Sequence, residues 1–211
     1  MPAVLPLIPA DFGTEHRDVD FSSVAAAPSV WAGFAVEVML AAREVGRAVE
    51  FSAESLPVEV GTDLQAAASY RRRIGIQDVT GQKHRVGAYV NVTTGDPDQL
   101  AAAAYVFGSV GVGLRIPDHA VEDFDAGRAL TDRRGVPPIL GGLYVPVVGR
   151  ASGNFLAVMS GKVVEFTPGF YRRYCDETIC YFSEEIMTAP TAPPGFDRAQ
   201  LLIDLQAFTR R

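Results

Sequence analysis

The sequence predicts an α+β protein with a helical N-terminal part and a mainly antiparallel β-sheet in its C-terminal part. Two helical patterns dominate the early part of the 211 residues, and short β-rich segments separated by glycine-containing turns dominate the later part. The chain is long enough for one large domain or for two small lobes that share a core. Its composition, 48% hydrophobic and 21% charged residues, is that of a globular protein.

The first helix is predicted to be buried on all sides. It follows Pro28 and spans "VWAGFAVEVMLAAREVG", in which nearly every residue through Ala42 is apolar except Glu37. Ser29 is the predicted N-cap, and Gly46 is the predicted stop.

The second helix is predicted over "TDLQAAASYRRRIG", with Thr62 or Asp63 as its cap and Gly75 as its terminator. Its basic run, Tyr70–Arg73, predicts a solvated helix face, and contact with an anionic partner is the alternative.

The C-terminal part alternates strands, turns and short helices. Asp96 and Pro97 mark the start of a helix over 95–108, a polar helical turn covers 118–127, and a further helix over 169–177 contains Cys175. A loop is predicted over 131–142. The predicted strands cover 85–92, 110–117, 143–149, 155–161, 162–167 and 178–183.

Three regions are predicted along the chain. Residues 1–20 form an extended N-terminal arm, residues 21–187 form the main domain, and residues 188–211 form a Pro/Ala-rich linker and an amphipathic helix. Within the domain, the helical part covers about 21–80 and the β part about 81–187. The arm contains three prolines and no basic stretch, which argues against a signal peptide.

Charge, hydropathy and cysteine content exclude several classes of protein. The net charge of −6 and pI near 5.1 argue against a broad nucleic-acid-binding surface. No apolar stretch approaches the roughly 20 residues needed to cross a bilayer. The two cysteines, Cys175 and Cys180, do not suggest a disulfide framework, although four intervening residues leave both a bridge and a reduced structural pair open.

Five motifs in colinear order resemble one family. They are "SYRRRIGI", "QLAAAAYVFGSVGVGLRIP", "GGLYVPVVG", "FYRRYCDE" and "GFDRAQLLIDL", which lie between residues 60 and 208. Together they resemble papain-like cysteine peptidase-like proteins of bacterial and prophage genomes. "SVWAGFAVEVM" is similar to the Cys-Trp-Ala-Phe pattern of that fold. The resemblance implies a papain-like fold with a catalytic cysteine, histidine and asparagine.

The resemblance places the catalytic positions on residues that lack the required chemistry. The nucleophile position falls on Ser29 or Val30, the histidine position on Leu143, and the orienting position on Met159, where Ser160-Gly161 replaces a Trp-Gly pair. A cysteine peptidase needs a thiolate, a proton-accepting ring and a group that orients the ring.

The oxyanion donor is missing as well, because residues 10–28 contain no glutamine. The expectation is therefore a degenerate site without catalysis. Val30, Leu143 and Met159 are predicted to meet in a closed or shallow, apolar pseudo-active site.

The remaining polar candidates are predicted to have ordinary roles. His16 and His84 are expected to be solvated, and His119 to lie on an acidic, solvated helix face. A cation site near His119 would need several carboxylates to converge, and the spacing of an EF-hand is absent. The acidic neighbours of His119 are Asp118, Glu122, Asp123 and Asp125. A zinc site at the cysteines is not expected, and no cofactor is implied.

The function predicted from these features is that of a non-catalytic structural or binding component whose partners are other proteins. The resemblance makes a phage or phage-derived virion protein of the capsid, connector or tail the concrete form. It also implies a location in a virion or in the bacterial cytoplasm. Two alternatives stay open: a papain-like hydrolase with a relocated site at Cys175, and a soluble decoy or inhibitor.

Overall fold

The computed structural model describes residues 7–58 and 64–188, together with Ala199, and confirms the α+β architecture. In those ranges the helices are α1 (Ser29–Glu44), α2 (Leu64–Arg73), α3 (Pro97–Phe107), α4 (Asp118–Asp125), α5 (Pro168–Tyr174) and α6 (Glu184–Thr188). The strands are β1 (Ile76–Gln77), β2 (Lys83–His84), β3 (Val86–Asn91), β4 (Val110–Pro117), β5 (Ile139–Ala151), β6 (Asn154–Met159), β7 (Lys162–Phe166) and β8 (Cys175–Ser183).

The main sheet is antiparallel and has the strand order β3-β8-β4-β5-β6-β7, and β1 pairs with β2 in a separate small hairpin. Helix α1 packs against one face of the sheet, in a core that also contains residues of α2. Helices α3 and α5 contribute to a second core on the other face. The chain therefore forms a helical layer and a sheet that meet along α1 and β5.

Helix α1 is buried on nearly every side, as its apolar sequence predicts. It begins at Ser29, so Pro28 occupies the cap position that the sequence assigned to Ser29. Gly46 ends it with a φ of 71°, and the amide of Arg47 donates to the carbonyl of Ala42 over 2.9 Å. A positive φ after the last helical turn is the reason that glycine occupies this position.

Several other boundaries follow their local sequence signals. The carboxylate of Asp96 accepts from the amides of Asp98 and Gln99 and caps α3. The β5–β6 turn, Ser152-Gly153, and the β6–β7 turn, Ser160-Gly161, have positive φ at both residues. Two-residue hairpins of this kind match the twist of the strands that they join.

The structure corrects two boundaries and adds a helix. Helix α5 ends at Tyr174, so Cys175 opens β8 instead of lying inside a helix. Strand β5 begins at Ile139, within the predicted loop, because it continues its pairing with β4 to Pro117. Helix α6 (Glu184–Thr188) was not predicted.

The N-terminal arm is only partly extended. Residues Thr14–Asp18 form a 3-10 turn, and Phe12 pairs with Arg150 at the end of β5 through two backbone hydrogen bonds. Residues 1–6 lie outside the described residues, as do the predicted cap at Thr62 or Asp63 and, apart from the helical Ala199, the predicted C-terminal linker and helix from residue 189 onward.

The predicted solvated face of α2 holds for Arg72 and Arg73, which are exposed, but Arg71 in the same basic run is buried. Arg71 has no exposed surface and forms an ion pair with Glu37 of α1. Its guanidinium lies over the rings of Phe34 and Tyr181, 4.6 and 5.0 Å from their centroids. A lone carboxylate inside an apolar helix needs such a partner, so Glu37 implies a buried cation without indicating which basic residue supplies it.

Tyr144 of β5 completes this buried group. Its hydroxyl donates to Glu37 over 2.6 Å, and its ring lies where two glycines leave room for it. A Cβ atom added to Gly33 would lie 2.4 Å from the ring, and one added to Gly111 would lie 1.8 Å from the hydroxyl oxygen. Both glycines are therefore required by the position of one side chain.

We expect Gly111→Ala to lower the free energy of unfolding by about 2 kcal/mol, because the new methyl group forces Tyr144 away from Glu37. Gly87→Ala is the matched control, since its nearest non-neighbouring atom, on Met187, is 3.6 Å away. Urea denaturation of both variants checks this. Equal stability of the two variants would contradict the proposed fit.

Candidate functional site

A small cleft lies where the first turns of α1 face β5 and the β6–β7 turn. Its volume is about 130 Å³, and it brings together three of the four predicted positions: Ser29, Leu143 and Met159. Leu143 is half-buried and Met159 is 8% exposed. The remaining lining residues are Val24, Ala25, Ala27, Ala32, Gly33, Val36, Tyr144, Val158, Ser160 and Gly161.

Val30 does not belong to this cleft, so the prediction that Val30 meets Leu143 and Met159 is wrong. The cleft is lined from α1 by Ser29, Ala32, Gly33 and Val36, a spacing that defines one face of a helix. Because each residue turns the helix by about 100°, Val30 points away from this face and is buried in the core. Ser29 therefore occupies the position that faces β5.

The hydroxyl of Ser29 is held by the strand opposite. Its Oγ accepts a hydrogen bond from the backbone N–H of Tyr144 over 3.2 Å, next to Leu143. A nucleophilic hydroxyl needs a neighbouring base, and Leu143 offers no acceptor at this position.

The other polar side chains of the cleft do not supply a base. Among the lining residues, only Ser29, Tyr144 and Ser160 have polar side chains. The Tyr144 hydroxyl is engaged by Glu37, and burial together with that carboxylate raises the pKa of Tyr144 well above its ordinary value. Ser160 has a φ of 48°, as the tight β6–β7 turn requires. The cleft therefore has apolar walls and two serine hydroxyls, those of Ser29 and Ser160, and no side chain in its lining that could act as a base for them.

All three histidines are buried away from the cleft, so the predicted solvated positions are wrong. His16 is 7% exposed, and burial lowers its pKa. His119 is 6% exposed, with Nε2 3.0 Å from the carbonyl oxygen of Thr131 and its ring against Tyr174. His84 is 1% exposed. Of the three, only the burial of His84 had a signal in the sequence. His84 lies two residues before Val86, so it has the same side-chain direction as the buried residues of β3.

Two carboxylates of α4, those of Glu122 and Asp123, pair with arginines. Asp123 is 3% exposed and accepts from Arg128 over 2.8 Å and from Arg133 over 2.9 Å. Burial acts to raise the pKa of Asp123, but the hydrogen bonds and charges of Arg128 and Arg133 outweigh it and lower the pKa below its ordinary value. Over the described residues, no three His, Cys, Asp or Glu side chains are grouped so that they could hold a metal ion.

Both cysteines are free and buried in β8. The Cys175 thiol lies 3.3 Å from the hydroxyl of Thr178, and burial raises its pKa. Burial also raises the pKa of Cys180 well above the ordinary value. A reactive cysteine needs the opposite shift, toward the thiolate.

His84 lies between two carboxylates that join distant parts of the chain. Its Nδ1 is 2.6 Å from Glu185 of α6, and its Nε2 is 3.1 Å from Asp78. Burial lowers the pKa of His84, but the hydrogen bonds and charges of Glu185 and Asp78 outweigh it, so the pKa is raised. This arrangement favours an imidazolium that donates from both nitrogens.

Comparisons with known proteins support the fold. No family model matches the chain, and no curated protein matches it. Solved structures do match. Xylellain, a cysteine protease from Xylella fastidiosa, aligns with a TM-score of 0.54 at 12% identity over 86% of this chain and 89% of that one.

Two proforms align similarly. The ragweed pollen allergen and cysteine protease Amb a 11 gives a TM-score of 0.59 at 16% identity over 92% of this chain and 64% of that one. Procathepsin L 3 from the larval midgut of Tenebrio molitor gives 0.53 at 19% identity over 86% and 73%. The chain therefore has the α+β fold of papain-like cysteine proteases. No described helix is both long and apolar enough to span a membrane.

The His84 cluster predicts a pH-dependent stability. The raised pKa of His84 makes its contribution complete below the ordinary value of 6.5, and the contribution is lost as the pH rises through the folded pKa. The pKa values of Asp78 and Glu185 are lowered from 3.8 and 4.5, so their contributions are lost as the pH falls through the folded values. The cluster stabilises most between these limits, from about pH 4.5 to 6.5.

We expect His84→Gln to cost about 3 kcal/mol in this window and less above it. Urea denaturation from pH 4 to 9 measures the difference, with the exposed neighbour Lys83→Gln as control. A difference between wild type and His84→Gln that does not change with pH would count against the buried imidazolium.

Proposed function

We propose that this chain is a non-catalytic papain-like protein that acts as a structural or binding component through contacts with other proteins. One observation carries the proposal. The hydroxyl of Ser29, at the start of α1, is held by the amide of Tyr144 beside Leu143, in a cleft whose lining contains neither a thiol nor an imidazole.

The chemistry of the fold needs a thiolate at a helix N-terminus and a base within hydrogen-bond distance. A serine at that position would still need the base. The buried carboxylate of the same helix, Glu37, is occupied by the Tyr144 hydroxyl and by Arg71. The geometry therefore supports binding more than catalysis.

The relocated hydrolase is the weaker alternative. Cys175 would be its nucleophile, but its thiol lies in β8, is 8% exposed, and has a raised pKa. Thr178 and the carbonyl of Glu177 are its hydrogen-bond partners. None of these contacts resembles the activation of a catalytic thiol.

The concrete form of the proposal is a component of a phage or phage-derived particle, at the capsid, the connector or the tail. Its support is the resemblance of the colinear motifs to proteins of prophage genomes. A soluble decoy would keep the same fold and is the competing binding role. Quantitative mass spectrometry of purified particles distinguishes the two, because a particle component is present at a fixed copy number and a decoy is absent.

Activity-based labelling tests the absence of catalysis. We expect a thiol-directed epoxide probe and a serine-directed fluorophosphonate to leave the folded protein unlabelled, while denaturation exposes Cys175 and Cys180 to a general thiol reagent. Labelling of the folded chain that Ser29→Ala or Cys175→Ser abolishes, together with peptide hydrolysis, would overturn the proposal.

Reintroducing the two missing groups tests the positions themselves. In Ser29→Cys/Leu143→His, the new ring lies on β5 beside a thiol at the start of α1, so we expect a lowered thiol pKa and alkylation at pH 6 roughly tenfold faster than in Ser29→Cys. Val30→Cys/Leu143→His is the matched control and should show no such gain. Equal rates for both double variants would contradict the assignment of Ser29 and Leu143.

A further inference from the structure

A small cavity lies beside the buried ion pair of Arg71 and Glu37. Its volume is about 10 Å³. Parts of α1, α2, β8 and α6 line it, together with His16 and the turn between α3 and β4. The cavity is separate from the cleft at Ser29, because the two share no lining residue.

Three residues of this lining have buried polar atoms without a hydrogen-bond partner. The atoms are Nε and Nη2 of Arg71, the hydroxyl oxygen of Tyr181 and Nδ1 of His16. The three residues are 0%, 6% and 7% exposed, so bulk water does not reach these atoms. Among the described residues, four of the eight unpartnered side-chain atoms thus belong to the lining of one cavity, which indicates that the cavity holds a partner for them.

The free edge of the Arg71 guanidinium has the greatest need of a partner. Its Nη1 pairs with Glu37, and its central carbon lies 4.6 and 5.0 Å from the ring centroids of Phe34 and Tyr181. Nε and Nη2 therefore remain as donors on the edge of the group. Leaving a donor of a buried charged group unpaired costs more free energy than leaving a neutral one unpaired. The cavity provides the space for an acceptor beside this arginine.

We propose that the cavity binds one water molecule, which accepts a hydrogen bond from Arg71 and donates to the hydroxyls of Tyr181 and Ser183. A cavity of about 10–15 Å³ holds a single water, and buried waters make about three hydrogen bonds to groups that are otherwise unpaired. The Ser183 hydroxyl accepts from the amide of Ile186 over 3.4 Å, and a hydroxyl oxygen has a second lone pair for the water.

A water molecule fits this cavity better than an anion does. The charge of Arg71 is already compensated by Glu37, and Glu44 is a second carboxylate in the lining. Burial lowers the pKa of His16, so its ring adds no positive charge at neutral pH. A bound anion would therefore lack a cation of its own, and an uncompensated buried charge is costly. An apolar occupant would leave the Arg71 donors unpaired.

The water joins α2 to β8 beside the ion pair that joins α2 to α1. A single side chain, that of Arg71, is then bonded to both the helical layer and the sheet. The proposal goes beyond the proposed function and does not depend on it, because it involves neither catalysis nor a partner protein.

A crystal structure of the unmodified chain tests the site directly. We expect electron density for one water at about 2.7–3.2 Å from Nε or Nη2 of Arg71 and at a similar distance from the Tyr181 hydroxyl. A second crystal soaked in bromide distinguishes an anion, because bromide is located by its anomalous scattering. A dry cavity, or bromide in the place of the water, would overturn the proposal.

Urea denaturation of two tyrosine variants gives an independent readout. In a hydrated cavity Tyr181→Phe removes a hydrogen bond to the water, and it should shift the equilibrium toward the unfolded state by roughly tenfold. In a dry cavity the same substitution removes an unpaired polar group and does not destabilise the fold. Tyr174→Phe is the matched control and should not destabilise, because the Tyr174 hydroxyl is also buried and unpartnered but lies outside this cavity. Equal stability of the two variants would refute a water bound at Tyr181.

Discussion

The buried carboxylate of Glu37 is the constraint on which the arrangement of helices and sheet depends. It lies in the middle of an apolar helix, and burial raises its pKa, while Arg71 and the Tyr144 hydroxyl act in the opposite direction. An unpaired charge at this depth would cost several kcal/mol, and removal of one partner from a buried pair typically costs about 3–5 kcal/mol. α1, α2 and β5 are therefore held in one arrangement, since only that arrangement satisfies the carboxylate.

Tyr144 connects the buried Glu37 to the cleft, because it contacts both Glu37 and Ser29. Its backbone N–H binds Ser29 at the start of α1, and its hydroxyl binds Glu37 two turns further along the helix. Gly33 lies midway between them, and its missing Cβ makes room for the ring. One tyrosine thus binds α1 at two positions eight residues apart, because the side chains of Ser29 and Glu37 both reach toward it, and these contacts fix the position and the rotation of the helix against β5. Ser29 and Leu143 line the same cleft because the neighbour of Leu143 is held in this way.

The sequence was sufficient for elements that depend on local signals. Asp96 and Pro97 fixed the start of α3, Gly46 ended α1, and the Ser-Gly turns separated β6 from its neighbours, because capping and positive φ act over a few residues. Contacts between residues far apart in the sequence could not be predicted in the same way. The basic run around Arg71 looked solvated because its acidic partner lies 34 residues away on another helix.

In the candidate site, too, some features could be predicted from local sequence and others depend on long-range contacts. The motif resemblance located Ser29, Leu143 and Met159 in one cleft, but the weak match at the start of α1 left Val30 as an equal candidate. Only the rotation of the helix, set by Tyr144 and Glu37, separates two adjacent residues that differ by about 100° around its axis. Likewise, Cys175 was placed in a helix because the local sequence does not show that β8 must reach back to pair with β4.

The residues that hold α1 against β5 differ from the residues at the positions where this fold has its catalytic groups. A cysteine peptidase needs a helix N-terminus and a strand at a fixed distance, so that a thiol and a ring can meet. In this chain the same distance is set by Glu37, Tyr144 and Gly33, none of which would take part in proton transfer. Of the two facing positions, Leu143 takes no part in these contacts, and Ser29 contributes one hydrogen bond, to the amide of Tyr144. Leu143 can therefore be substituted without changing the contacts that hold α1, whereas the glycine, the tyrosine and the carboxylate that hold the helix cannot change independently of one another.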